Sequence, residues 1–310
     1  MLMRCFIAGG GGFIGSHLGE TLLAAGHQVV VFDRPTARYL ENLRSMGADI
    51  RTGNFLNSDD LSRSIVGCDV VFHLVSTTVP QTSNENPIFD AQTNLLGTLT
   101  LLESAKEVGV KKIIFSSSGG TVYGITREIP IKENHPTEPI SAYGITKLTI
   151  EKYLYLYWYL YKLDYCVLRV ANAYGERQPV TDTQGIIAVL IDKTLKKEEI
   201  TIWGDGSIRR DFVYVTDIAD AFLKAINYTG VQKVINVSSG RAYSLNDILA
   251  IVERLEQNPL RVKYTFSRDF DVPINVLDNS LAKQQLNWQP SVGLSEGITR
   301  MYNWMKKGNG

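Results

Sequence analysis

Cysteine is scarce: three in 310 residues. Cys5, Cys68 and Cys166 lie far apart, each inside an apolar run, and no pair has zinc-ligand spacing. A disulfide framework and a metal site are therefore not expected, and reduced core thiols are. Net charge is missing too, because 32 Lys and Arg balance 32 Asp and Glu. A nucleic-acid partner is not expected, since binding phosphates takes a basic footprint that releases counterions. No apolar run approaches the roughly 18 residues of a membrane span. The opening Met-Leu-Met-Arg-Cys-Phe-Ile-Ala-Gly reaches a glycine cluster too soon for a secretory signal, so a soluble cytoplasmic protein without a membrane partner is expected. What is present is core material: at 44% hydrophobic and 10% aromatic, the chain is not disordered.

The first two thirds alternate apolar runs with helical patterns. Strands are expected at 4–8, 28–33, 48–52, 69–74, 111–116 and 165–170. Between them the clearest helix carries Ala91, Leu95, Leu99, Leu102 and Ala105 on one face. Strands that are apolar throughout and separated by helices imply an α/β fold, a doubly wound parallel sheet covered on both faces. Past about residue 173 the segments become shorter and more mixed, which predicts a smaller mixed α/β C-terminal substrate domain. The expected division is 1–172, with a return segment at about 211–239, and the remainder of 173–310. Ser244-Leu-Asn-Asp247 has the form of a capping box. Tyr153–Tyr161, Tyr-Leu-Tyr-Leu-Tyr-Trp-Tyr-Leu-Tyr, has a strand's period of two but continues a helical pattern from Tyr143, and is read as helix. Being apolar all round, it is either covered within its own chain or forms a subunit contact, as in a homodimer.

Gly9-Gly-Gly-Gly12-Phe13-Ile14-Gly15 sits where a strand ends and a helix begins. Glycines at 9, 12 and 15 permit a tight turn, close approach to a pyrophosphate, and contact between helix and strand. The helix N-terminus supplies unpaired N–H groups and the positive end of a dipole. Asp33 closes the next strand, 18 residues after Gly15. A carboxylate there accepts hydrogen bonds from an adenosine ribose and repels a 2′-phosphate, so a Rossmann-type site is expected that favours NAD. Arg34 follows at once and leaves NADP open.

Tyr143-Gly-Ile-Thr-Lys147 places a phenol and an ammonium at i and i+4 on one helix face. A phenol titrates near 10 and needs a nearby cation to act as a base at neutral pH; Lys147 supplies one. Upstream, Phe115-Ser-Ser-Ser118-Gly-Gly-Thr121-Val-Tyr-Gly124 clusters hydroxyls at a strand end, where open α/β sheets place ligands. Ser118 lies 25 residues before Tyr143 and is the expected catalytic hydroxyl, with Thr121 as the alternative.

Taken together these motifs resemble the extended short-chain dehydrogenase/reductase family, and within it the nucleotide-sugar epimerases of the UDP-glucose 4-epimerase type. Further matching stretches are His73-Leu74, Asn94-Leu-Leu-Gly97-Thr, Leu168-Arg-Val-Ala-Asn172-Ala-Tyr-Gly-Glu-Arg-Gln178, Trp203 through Arg210 to Val215, Arg268-Asp-Phe-Asp-Val-Pro273 and Asn287-Trp-Gln-Pro290. The resemblance implies NAD as cofactor, bound also by Asn54, Phe55, Leu74, Val75, Ser76, Asn94 and Ser116 besides Tyr143 and Lys147. It implies a UDP-hexose substrate held by Asn172, Trp203, Arg210, Arg268, Asp271 and Asn275, and epimerised at C4 through a transient 4-keto sugar. Asn275 stands where galactose-specific members of the family place a bulky Tyr, which implies room for an N-acetyl group. Three departures stand out. Asn54-Phe55 replaces Asp plus an apolar residue beside adenine. Two glycines, not one residue, follow Ser118. Gly119 and Gly120 also offer none of the acids that dehydratases and decarboxylating members carry there. A 4-keto-sugar reductase and a non-catalytic NAD sensor are the rival readings.

Overall fold

The computed structural model describes residues 2–126, 128–181, 185–266 and 272–309. Strands β1 (Arg4–Ala8), β2 (Gln28–Asp33), β3 (Asp49–Thr52), β4 (Val70–His73), β5 (Lys112–Ser118) and β6 (Asp164–Val170) join β11 (Val234–Val237) in one sheet. Its order is β11-β6-β5-β4-β1-β2-β3, every pairing parallel. Alternation explains why these strands read as apolar throughout. Cys5, Ile7, Val29 and Val31 enter the core on one face, while Phe6, Ala8, Val30 and Phe32 enter the core on the other. With both faces dry, every position favours an apolar residue.

The chain runs outward from β1 through β2 to β3, then returns to the other side of β1 with β4. The order reverses there, and a crevice opens beyond the carboxyl ends of β1 and β4, the usual ligand position in such sheets. Helix α1 (Phe13–Ala24) leaves β1, α2 (Gly97–Glu107) precedes β5, and α3 (Ala142–Tyr161) links β5 to β6. The ambiguous aromatic stretch is helical, the end of α3. Leu154 and Tyr157 are buried, whereas Tyr155, Leu156, Tyr159 and Leu160 remain 41–60% exposed. Among the described residues, none covers the outer face of this helix end.

Beyond β6, β7 (Asn172–Tyr174) pairs in parallel with β10 (Phe212–Tyr214), and β8 (Ile200–Trp203) with β13 (Val262–Thr265). Strand β9 (Arg209–Arg210) lies between β12 (Tyr243–Ser244) and β14 (Ile274–Asn275). Helix α4 (Val215–Ala225) carries the chain to β11, and α5 (Leu245–Glu256) starts at the expected capping box. Ser244 Oγ accepts from Asp247 N at 3.1 Å, and Asp247 Oδ2 accepts from Ser244 N at 2.8 Å. A third core gathers here around Ile191, Phe212, Ile248 and Met301. Asn236 Nδ2 on β11 donates to the carbonyls of Ile131 and Asp278 at 3.0 and 3.2 Å, tying the late segments to the main sheet. Among the described residues no helix is long and apolar enough to cross a membrane.

Candidate active site

The glycine turn is as tight as its spacing implies. A Cβ on Gly15 would come within 2.2 Å of the Gly9 carbonyl, and one on Gly9 (φ +84°) within 3.1 Å of Val75 N. Leu74 and Val75 thus form one wall of the crevice. Gly12 caps α1 without a side chain, so the first-turn N–H groups around Phe13, Ile14 and Gly15 remain available to an anion. Asp33 is tied to this turn: Oδ2 accepts from Gly11 N at 2.9 Å and Oδ1 from Arg34 N at 2.8 Å. Burial raises the Asp33 pKa against these two N–H groups, and each oxygen keeps a lone pair for a ribose hydroxyl. The turn and the carboxylate together fit an adenosine diphosphate moiety. Asn54 Oδ1 accepts from Leu56 N at 3.0 Å. The Phe55 ring lies 5.4 Å from that of His73.

Tyr143 stands in the first turn of α3. Its N–H donates to Ser83 Oγ at 2.9 Å, while Ala142 N donates to Asn84 Oδ1 at 2.8 Å. Sequence reading missed both anchors, since they arrive from a short helix 60 residues away. Burial pushes the Tyr143 phenol up to about 12, and the hydroxyls of Ser76 and Ser118 beside it pull the other way. Ser76 Oγ also reaches the Thr78 carbonyl, at 3.1 Å. Thr121 is not among the groups that shift Tyr143; its Oγ1 is buried without a partner, and its N–H turns back to the Ser118 carbonyl at 3.3 Å.

Lys147 Nζ donates to the Ser116 carbonyl at 2.9 Å and lies 4.8 Å from the Phe115 ring centroid and 5.5 Å from that of Tyr143. Burial brings the Lys147 pKa down to about 8, opposed by the carboxylates of Asp90 and Glu151. With Lys147 in place the Tyr143 phenol still lies above its ordinary value. The Lys147 ammonium is aimed at a carbonyl, and desolvation of the phenol outweighs everything around it. Asn94, expected beside the cofactor, meets protein groups through its amide. Its amide accepts from Thr77 N at 2.9 Å and Thr77 Oγ1 at 3.2 Å, and donates to Thr78 Oγ1 and Asp90 Oδ1 at 3.0 Å. All its capacity braces the loop that carries Ser76 and holds Asp90, which also accepts from Thr146 Oγ1 at 2.5 Å.

A second group of residues meets at Asp211. Asn172 donates to the Asp211 carbonyl through its N–H at 3.0 Å and Nδ2 at 2.8 Å. Asp211 N donates to the Asn275 carbonyl at 3.1 Å, and Asn275 lies opposite Arg210 in register. The Asp211 carboxylate accepts from Ser239 N and Oγ, Gly240 N and Leu277 N at 2.6–3.3 Å; burial lifts its pKa to about 6. Arg210 Nη1 donates to the carbonyls of Arg209 and Val272 at 2.9 and 2.6 Å. Asn275 is 4% exposed, and its Oδ1 has no partner among the described residues. Trp203 is 46% exposed at the end of β8. Arg268 and Asp271 lie outside the described residues. Because Val170 registers with Ser118 across β5 and β6, Asn172 emerges from the same sheet end as the Tyr143 site.

Known proteins share this fold and a good part of this sequence. The chain is 37% identical over 307 residues, 98% of each chain, to the putative UDP-glucose 4-epimerase of Methanocaldococcus jannaschii. It superposes with TM-score 0.93 on the UDP-glucose 4-epimerase of Thermotoga maritima with UDP-glucose, at 36% identity over 99% of each chain. It superposes with TM-score 0.92 on the UDP-N-acetylglucosamine 4-epimerase of Methanobrevibacter ruminantium in complex with UDP-N-acetylmuramic acid, at 29% identity over 99% of each. The model of one family matches residues 5–263, a span that takes in the glycine turn, Asp33, Ser118, Tyr143, Lys147 and Arg210 together. By that match and these relatives, the chain belongs to the NAD dependent epimerase/dehydratase family.

Proposed function

We propose that this protein reversibly epimerises UDP-hexoses at C4, with NAD as a cofactor that stays bound between turnovers. The observation that carries the reading is the Tyr143 phenol, set against the Ser118 hydroxyl at the sheet end beside a glycine cradle and Asp33. When bound, NAD would supply a reversible hydride acceptor for C4 of the sugar. Tyr143 removes the proton of the C4 hydroxyl and later returns it. Ser118 donates to the same oxygen as it becomes a carbonyl, and Lys147 holds the nicotinamide ribose and contributes positive charge. Gly119 and Gly120 put no acid beside the neighbouring carbons, which favours a simple inversion at C4 over elimination or decarboxylation.

Residues 1–172 with the return segment at about 211–239 hold the cofactor, and the rest of 173–310 holds the nucleotide sugar. Arg210 takes the diphosphate with Arg268, and Trp203, Asn172, Asp271 and Asn275 contact the nucleotide sugar. A relative that binds a UDP-N-acetyl sugar and the unpartnered Asn275 Oδ1 support acceptance of N-acetylated hexoses alongside plain ones. The exposed apolar face of α3 supports a homodimer, and the protein works in the cytoplasm.

The test is incubation of the purified protein with UDP-glucose and UDP-N-acetylglucosamine, with product stereochemistry read by NMR. The C4 epimer should form without added cofactor. A requirement for stoichiometric reduced cofactor would establish the ketoreductase reading instead, and no turnover of any nucleotide sugar would leave only the sensor.

A further inference from the structure

Tyr143, Lys147 and Glu151 recur every four residues along one face of α3, and each engages a different residue at the end of β5. Tyr143 faces Ser118, Lys147 Nζ donates to the Ser116 carbonyl at 2.9 Å, and Glu151 Oε1 accepts from Ser117 Oγ at 2.6 Å. Glu151 is gripped from β6 as well. Arg169 Nε donates to Oε1 at 3.0 Å and Nη2 to Oε2 at 2.6 Å, a two-pronged pair whose side chains are 5% and 4% exposed. Ser117 and Arg169 are directly opposite in register, so their side chains leave the same face of the sheet. Arg169 is wedged in turn, 4.8 Å from the Tyr123 ring centroid and 3.4 Å from the Glu133 carbonyl.

A buried ion pair is a weak source of stability, because desolvating two charges offsets their attraction and apolar replacements often serve as well. Its distinctive property is direction. A guanidinium–carboxylate fork fixes distance and angle, whereas apolar contacts between helix and sheet permit small slides. One residue of slip along a helix is about 1.5 Å, and misplacement by about 1 Å can cost a reaction about a hundredfold. We propose that Glu151, Arg169 and Ser117 are positioning residues for the reaction, fixing the axial register of α3 against β5 and so holding the Tyr143 phenol at the Ser118 hydroxyl. They act through Tyr143 and Lys147. The inference rests on the 4-epimerase reading above.

The test replaces the cluster by apolar residues of similar volume, Ser117→Ala with Glu151→Leu and Arg169→Met, and compares kcat, KM, bound NAD and melting temperature with those of the unmodified protein. The expected result is a variant that melts no lower and keeps KM and bound NAD within about twofold, yet loses about tenfold or more in kcat. Retention of kcat in the folded variant would overturn the proposal. So would a loss of kcat that merely tracks a lower melting temperature, since that is a structural role. If the triple variant does not fold, Ser117→Ala alone decides. A drop of about threefold or more in kcat at unchanged KM and melting temperature supports the register role, and an unchanged kcat overturns it. Failure of the epimerase reading is separate, because the unmodified protein would then turn over no UDP-hexose.

Discussion

Replacing Lys147 by Met removes one positive charge from the site while keeping a buried side chain of similar length. That charge sits 5.5 Å from the Tyr143 ring centroid. At an effective dielectric of about 20, unit charges at that separation interact by about 3 kcal/mol, or about two pKa units. The Tyr143 phenol, at about 12, lies about five units above neutrality, a gap of about 7 kcal/mol. That value already includes Lys147, so the oxidised nicotinamide's positive charge would be left to cover the gap, and losing Lys147 would widen it by up to about two units. The sign follows directly: losing a cation disfavours phenolate, so the base forms at higher pH. In Lys147→Met the rising limb of kcat, measured at saturating UDP-hexose across about pH 6 to 10, should move up by about two units, a loss of about a hundredfold below the limb. Lys147 itself is brought down to about 8, so the unmodified protein loses its advantage above that pH and the two profiles should converge there. A limb that stays in place, with the loss confined to KM or to retention of NAD, would refute the electrostatic role and leave Lys147 as a ribose contact only.

Tyr143→Phe should lose about 10² to 10⁴ in turnover while NAD and UDP-sugar binding, followed by calorimetry, change little. Since Ser118 and not Thr121 faces the phenol, Ser118→Ala should cost more kcat than Thr121→Val; the reverse order would move the catalytic hydroxyl to Thr121. Asp33→Ala removes the charge that repels a 2′-phosphate and the acceptor for Gly11 N, so titration with both cofactors should show weaker NAD binding and a narrower preference over NADP. Asn275→Tyr should fill the space around the unpartnered Oδ1 and abolish turnover of the N-acetylated hexose while sparing the plain one. Equal losses on both sugars would remove Asn275 from substrate selection.

Local signals made much of this molecule legible in the chain. Glycine spacing, the acid after β2 and the i, i+4 pair on α3 each lie within one segment, and the structure brings them to one crevice. Apolar strands announced the two-sided sheet for the same reason, since alternation of Phe6 and Ile7 between two cores leaves no polar position. Contacts that depend on distant segments were not legible. Ser83, Asp90 and Arg169 reach α3 from separate stretches; only Arg169 falls in a recognisable motif, and nothing there announces its pairing with Glu151. Asn94 shows the converse: a buried amide reads the same whether it meets a ligand or, as here, braces a loop. Strand β5 runs two residues past the expected Ser116 because Ser117 and Ser118 still find ladder partners in Arg169 and Val170. Hydroxyls at a strand end carry no hydrophobic signal to announce this.

The position of β11 has a consequence for how the chain is made. Its residues, Val234–Val237, are the sheet neighbours of Val167–Val170 on the far side of β6 from β5. From residue 170 to residue 237 the ribosome must add 237 − 170 = 67 residues. At about 5 to 20 residues per second, the outer edge of β6 waits roughly 3 to 13 seconds for its partner. Through that interval a row of unpaired N–H and C=O groups, flanked by the apolar side chains of Val167, Leu168 and Val170, offers a template to any other extended strand. A fragment ending near residue 172 would keep that edge permanently. The nascent chain is thus most exposed to aggregation late in synthesis, when its nucleotide-binding crevice is already encoded but its sheet is one strand short.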